Sequence, residues 1–337
     1  MKLGADLEAV LGVAARRSDL EWELADAESA RLAVSIALER RAPLSPGYPR
    51  PGRTGLRPVA GILTLWSDEL VARVGAGTTV SALEELLAGR GLALGLDVPD
   101  PERTTLGACY ACGRAGFAGP RGISLRDRTV GLSFVDGRAR LLAAGARVVK
   151  NVAGYDFGRL HHGARGSLGL ILDLTVRLVA RPQRQVAVWW ACRHDELPIR
   201  LPEIRASWGN DAAAEVLVDR VAAVRYGLPG PGIVFRQGGA AELLESRIRR
   251  SDAVDVSARW SALIARSTAP VRLCSPSTLS VHDPGEDWIA DLGNGVLRGV
   301  VPAAPVSGAP SAAALAIKQV FDPHGIWPEL PVQDGVR

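Results

Sequence analysis

A chain of 337 residues is long enough to bury two cores, and its composition, 47% hydrophobic and 23% charged, is that of an ordinary folded protein. The net charge of +4 comes from 40 cations interspersed with 36 acids, which reads as a mixed solvated surface and argues against a nucleic-acid footprint. No apolar run reaches the roughly eighteen residues of a transmembrane helix, and acids interrupt the stretch from Met1 to Glu8, so a cytoplasmic location is expected.

In chain order, residues 26 to 41 carry apolar side chains at helical spacing and predict an amphipathic helix ending before Pro43. The prolines and glycines of Ser45-Pro46-Gly47-Tyr48-Pro49-Arg50-Pro51-Gly52 predict a stretch without regular structure. Strands are expected over 61–66 and 70–74, followed by Gly75-Ala76-Gly77 and a helix through Leu87, for which Ser81 to Glu84 has capping-box spacing. Residues 130–144 read as a hairpin turning at Asp136-Gly137. A short helix near 157–162 leads to 170–178, read as a half-buried strand with Leu172, Leu174, Val176 and Leu178 on one face. Asp173, Thr175 and Arg177 fall on the other face. Beyond Pro182 the pattern predicts a strand at 186–191, helices near 211–225 and 239–249, and a hairpin around Gly293-Asn294-Gly295. An Ala/Pro/Gly linker at 302–310 precedes a last helix, 311–321. This mixture of hairpins and helices is an α+β pattern, not a doubly wound parallel sheet.

Cysteines at 109, 112, 192 and 274 do not make a disulfide framework for a chain this long. Cys109 and Cys112 form a single CxxC, read as two small packing residues; no second CxxC completes a metal set. His161-His162 is read as a surface pair at a helix end, and no metal site is expected. Lysine occurs only at positions 2, 150 and 318 in a chain that otherwise writes positive charge as arginine, which draws attention to Lys150. Glycine-rich segments at 75–79, 104–121 and 163–169 would let backbone N–H groups approach an anionic diphosphate. None follows the strand-GxGxxG-helix order of a Rossmann fingerprint.

Val149-Lys150-Asn151-Val152-Ala153-Gly154-Tyr155-Asp156, with Gly163 to Gly169 behind it, resembles a block of the p-cresol methylhydroxylase-type FAD-binding domain family, in the form carried by the glycolate oxidase FAD-binding small subunit. Thr104 to Ala108, Gly119-Pro120-Arg121, Gly122 to Asp127 and the tail Ile317 to Ile326 resemble further blocks in the same order.

The resemblance implies a two-subdomain FAD-binding domain over 1–182 and a smaller, reduced cap-like α+β domain over 183–310. A C-terminal helix and tail, 311–337, would return to the FAD domain. It also implies noncovalent FAD, lined by Thr104, Thr105, Leu106, Gly107, Ala108, Gly113, Gly119 and Arg121. Lys150, Asn151, Gly154 and Tyr155 would pass near the flavin, and Gly166, Leu168, Gly169 and Ile171 would flank the dinucleotide. The family's glycine loop is replaced by residues 45–50, where Pro46 and Pro49 have no N–H and Arg50 offers a guanidinium instead.

The activity implied is oxidation of a 2-hydroxy acid such as glycolate or lactate, with no residue identifiable as the catalytic base. A larger FAD-binding oxidase subunit and an iron-sulfur subunit are the implied partners, through which the chain would sit peripherally at the inner face of the membrane. The alternative is a structural or regulatory subunit that has lost FAD.

Overall fold

The computed structural model describes residues 7, 16–18, 21–47, 50–113, 125–145, 157–208, 214–265, 271–273, 288–292, 296–299 and 309–330. The helix Ala27–Arg40 starts at Asp26, whose carboxylate accepts the Ser29 N–H at 2.7 Å. Ala30, Ala33, Val34 and Ala37 recur on one face and are buried. They pack in a core with Trp22, Leu44 and Leu56 from a four-stranded sheet ordered β1 (Arg16–Ser18), β2 (Glu21–Glu23), β4 (Thr54–Arg57), β3 (Leu44–Pro46). The punctuated stretch therefore begins with a short strand where none was expected. β3 is at the sheet edge and pairs with β4 in parallel, a place where proline is tolerated because one side of the strand needs no donor.

Five antiparallel strands make the second sheet, ordered β5 (Ile62–Trp66), β6 (Val71–Gly75), β10 (Leu170–Arg177), β8 (Thr129–Val135), β9 (Leu141–Gly145). β10 lies at its centre and is buried from Leu170 to Leu174, so it is not the half-buried strand the alternation predicts. A register shift against β8 between Ile171 and Asp173 reverses the side-chain phase. Leu170 and Leu172 thus join the core of the first sheet, while Leu174, Val176 and Leu178 join the core on the other side. Asp173, expected on a polar face, is only 5% exposed. Its carboxylate accepts two bonds from the Arg73 guanidinium, at 2.8 and 2.7 Å, and a third from the Ser133 hydroxyl.

Thr79, not Ser81, caps the helix Val80–Ala88, accepting the Ala82 N–H at 3.3 Å. Glu84 turns away from the helix start and accepts the Gly95 N–H at 2.6 Å; burial pushes its carboxyl above the usual range. Two short strands, β7 (Leu92–Ala93) and β11 (Val179–Ala180), pair next to the exit towards the third sheet.

That third sheet has seven strands in the order β15 (Val254–Asp255), β12 (Arg184–Ala191), β14 (Gly232–Gly239), β13 (Ala214–Val218), β17 (Trp288–Asp291), β18 (Val296–Gly299), β16 (Val271–Leu273). Residues 214–218, expected in a helix, are a strand because they pair on both sides, with β14 and β17. The helix itself is Arg220–Arg225, capped by Asp219. β17 and β18 pair as the expected hairpin, whose turn at 293–295 lies outside the described residues. Separate cores cover the two faces, one built on Trp190, Trp208 and Phe235, the other on Trp189, Val216 and Trp260.

Arg236 of β14 pairs with Asp97 beyond β7 and with Gln185, and lies 5.3 Å over the Trp260 ring. Burial lowers its pKa to about 10, so it keeps its charge at neutral pH. The helix Ala312–Phe321 packs back against the second sheet through Phe321, while Ile326 and Trp327 enter the core of the first. Among the described residues no helix is long and apolar enough to cross a membrane.

Candidate functional site

Glycine at 75 and 77 allows one backbone to lie directly on another: a Cβ would sit 2.3 Å from the Val59 carbonyl oxygen and 2.0 Å from that of Pro58. Gly107 is pressed against Ala76 in the same way, at 2.8 Å. The donors in this joint are consumed by it. Gly77 N–H bonds to Val59 O at 3.0 Å, Leu106 N–H to Thr78 O at 2.8 Å and Gly107 N–H to Ala76 O at 2.9 Å, while Ala108 N–H bonds to the Thr105 hydroxyl at 3.2 Å. The glycine segments at 75–79 and 104–108 therefore contribute smooth walls rather than a nest of N–H groups.

Those walls enclose a cavity. Thr105, Gly107, Ala108, Gly166, Gly169 and Ile171 line it, together with Arg50, so three separated segments singled out in the sequence converge there. Pro46, Gly47, Arg57, Pro58, Ala76, Gly77, Ala111, Cys112, Arg165 and Leu170 complete the lining. Three of the lining residues are arginines and none is a carboxylate. Of the arginines, Arg57 faces Glu21 and Glu23 of β2, at 3.5 and 3.8 Å.

The other candidates fall elsewhere. Thr104 caps a turn, its hydroxyl donating to Pro99 O at 2.8 Å; Leu106 and Leu168 are core residues; and Gly113, at φ +63°, lies 3.5 Å from Gly163 as measured from an added Cβ. Gly119, Arg121, Lys150, Asn151, Gly154 and Tyr155 lie outside the described residues. Sequence reasoning missed Arg165, which stands between Gly163 and Gly166, and Arg57, which looks like an ordinary strand cation.

The loop 163–169 is held from behind. Gly163 N–H bonds to Tyr110 O at 3.2 Å and Arg165 N–H to Ala111 O at 2.7 Å. Gly166 takes φ +79°, and its missing Cβ would meet the Pro46 ring at 2.5 Å, so the proline of the altered loop packs directly onto it. Cys109 is buried as expected, whereas Cys112 is exposed and lines the cavity.

His161 is not a surface residue. It is 2% exposed, with its ring 4.1 Å from Phe134 and 6.1 Å from Phe321, and burial pushes the imidazole down to about 4. Its Nε2 has no hydrogen-bond partner among the described residues. The correction has a plain cause: His161 closes the helix Phe157–His161 with its ring turned inward onto Phe134 of β8 and Phe321, while the next residue, His162, is partly exposed.

Because the folded pKa is below the unfolded value of 6.5, this group stabilises the fold above pH 6.5 and progressively less as pH falls towards 4. The loss should amount to about 3 kcal/mol, and His161→Phe should remove it. Denaturant unfolding of both proteins at pH 7 and pH 4.5 would test this; equal pH slopes would refute it.

The residues present fit a flavin dinucleotide in two respects: small-residue walls admit a close approach, and clustered guanidinium groups suit a diphosphate. Comparisons with known proteins agree. Residues 55–145 match the family model described as FAD binding domain. Over 144 residues the chain is 34% identical to glycolate oxidase subunit GlcE of Escherichia coli, covering 42% of this chain and 41% of that protein. It is 27% identical over 162 residues to glycolate oxidase subunit GlcD of Bacillus subtilis, covering 44% and 34%, so the match spans less than half of either relative. A D-lactate dehydrogenase of Archaeoglobus fulgidus is 30% identical over 112 residues, 33% of this chain and 25% of that one. Among solved structures, alkyldihydroxyacetonephosphate synthase aligns with a TM-score of 0.66 at 15% identity, over 91% of this chain and 75% of that chain, a likeness of fold alone.

Proposed function

We propose, from the premise that this chain carries a p-cresol methylhydroxylase-type FAD-binding domain, that it is the FAD-holding subunit of an oxidase or dehydrogenase for 2-hydroxy acids. The observation that carries this reading is the cavity. Segments around residues 46–50, 105–112 and 165–171, far apart in sequence, meet there with three arginines and no carboxylate. FAD bound in it would supply the two-electron acceptor for oxidation of the substrate carbon. The chain's own part is to hold the dinucleotide: Gly107, Ala108, Gly166 and Gly169 as close walls, Leu170 and Ile171 as the strand edge beside them, and Arg50 as a cation. Lys150, Asn151, Gly154, Tyr155, Gly119 and Arg121 are proposed to complete the flavin end.

Among the described residues none is placed as a substrate base or an electron exit. Four cysteines, two of them (Cys109 and Cys192) in buried cores and with a single CxxC among them, do not suit an iron-sulfur cluster, so a larger flavoprotein subunit and an iron-sulfur subunit are the proposed partners. In this reading residues 1–182 with the tail form the FAD domain, and 183–310 a reduced cap.

One observation favours a second reading, a scaffold subunit without flavin. Pro46 has no N–H, and Gly47 N–H is bonded to Leu56 O at 2.7 Å, so the loop in the family's diphosphate position withholds donors. The two readings separate in one experiment. The purified chain, alone and co-expressed with its partner subunits, should show a flavin absorption band, and heat should release a yellow chromophore into the supernatant. Protein that stays colourless after incubation with excess FAD would establish the scaffold reading instead.

A further inference from the structure

We infer that Arg236 and Asp97 form a latch that fixes the third sheet against the rest of the chain, and that the cleft beside them opens when the pair parts. The two partners come from opposite sides of the chain crossing at 181–183: Asp97 follows β7, and Arg236 lies in β14. Their side chains are only 11% and 15% exposed, so the attraction between them is little screened by water or salt. Arg184 with Glu245 and Arg205 with Glu215, by contrast, stay within the third sheet and its helices. Glu84, Asp97, Arg181, Arg184, Gln185 and Arg236 line the cleft, which shares no lining residue with the cavity proposed for the dinucleotide. The latch does not depend on bound flavin.

Both ends of the latch are held in place before they meet. On one side the Glu84 carboxylate accepts the Gly95 N–H at 2.6 Å and the Arg128 guanidinium donates to Leu94 O at 2.7 Å, so Asp97 follows a loop gripped from two directions. On the other, Arg236 also donates to Gln185 of β12 and lies over the Trp260 ring. At the crossing, the Pro182 ring sits on β14 where Gly238 leaves room for it: a Cβ there would come within 2.8 Å of Pro182 Cγ. Gly238 is two residues from Arg236, a spacing that returns to the same face of a strand. A pivot with a buried charged pair beside it has two arrangements, paired and parted, and the pair's role is to choose between them.

Distances between two nitroxide labels, read by double electron–electron resonance, test the latch. The labels go on Leu63→Cys of β5 and Val224→Cys of the helix Arg220–Arg225, both exposed, in a background where Cys112→Ser and Cys274→Ser take no label. The otherwise wild-type chain should give one narrow distance. In Asp97→Ala and in Arg236→Met the share of molecules outside it should rise about tenfold or more, equivalent to about 1.4 kcal/mol of preference for the paired arrangement. The double variant, Asp97→Ala with Arg236→Met, strands no charge; it should regain part of the unfolding midpoint lost in the single variants while keeping the widened distribution. A narrow distance retained in Asp97→Ala, a wide distribution already present in the wild type, or a double variant that returns to the narrow distance would each overturn the latch. Circular dichroism on the same samples separates opening from unfolding: widening matched by an equal loss of secondary structure would overturn it as well.

Discussion

Lys318→Met should destabilise the folded chain by about 3–5 kcal/mol, the range for breaking a buried ion pair by removing one partner. The Lys318 ammonium is 2.6 Å from Asp322 Oδ2 and also donates to the carbonyls of Ser167 and Pro328, each at 2.9 Å. The Asp322 side chain is fully buried and accepts the Ile326 and Trp327 N–H groups at 3.0 Å each. One charged pair thus ties the last helix and its tail to Ser167, which stands between Gly166 and Gly169 in the cavity loop. Methionine keeps the volume but leaves a buried carboxylate without a counter-charge and the buried carbonyls of Ser167, Trp327 and Pro328 without this donor. Urea unfolding would read the loss, and FAD affinity should fall with it because the loop loses its rear anchor. A cost below about 1 kcal/mol, the scale of an exposed pair, would show that the tail does not support the loop.

That pair illustrates what the sequence could and could not tell. The scarcity of lysine is visible in the sequence, and it draws the eye to Lys150; the lysine whose burial can be seen is Lys318, and its burial depends on the tail returning to the second sheet, a contact across some 150 residues that no local pattern encodes. Elements with strong local signals were legible: the helix after Asp26, the hairpin of β8 and β9, the strands β5 and β6. Residues 214–218 were not, because alanine and glutamate favour a helix and only pairing on both sides makes them a strand.

The phase of β10 was half legible. Alternation locates the strand, but the register shift after Ile171 decides which leucines share a core, and a bulge depends on the partner strand. At the cavity, glycine and threonine motifs marked the right segments. Their N–H groups turned out to serve the joint between the segments, since close backbone packing and anion binding ask for the same residue type. Arg165 had no signal at all, because left-handed φ is a property of the folded loop.

Gly169→Ala is expected to cost about 3 kcal/mol or more, and it tests whether that loop is as constrained as its geometry implies. Gly169 adopts φ +151°, where a side chain is strained, and an added Cβ would lie 2.5 Å from the carbonyl oxygen of Val135. That carbonyl belongs to β8 at the point where Leu170 pairs with Val135, so it cannot turn away without breaking the first rung of the central strand pair. Leu170 and Ile171 follow directly and line the cavity, so a shift that relieved the clash would move the cavity wall and weaken FAD binding. Gly47→Ala provides the comparison. It has φ +79° with nothing within 4 Å of the added Cβ, so only the conformational penalty of about 1 kcal/mol applies. Denaturant unfolding of the two variants separates the contributions: their difference measures the clash at Val135 together with the added backbone penalty of φ +151° over +79°. Equal losses at positions 47 and 169 would mean that β10 slides to accept the methyl group, and the cavity wall would then be softer than the register of β8 and β10 requires.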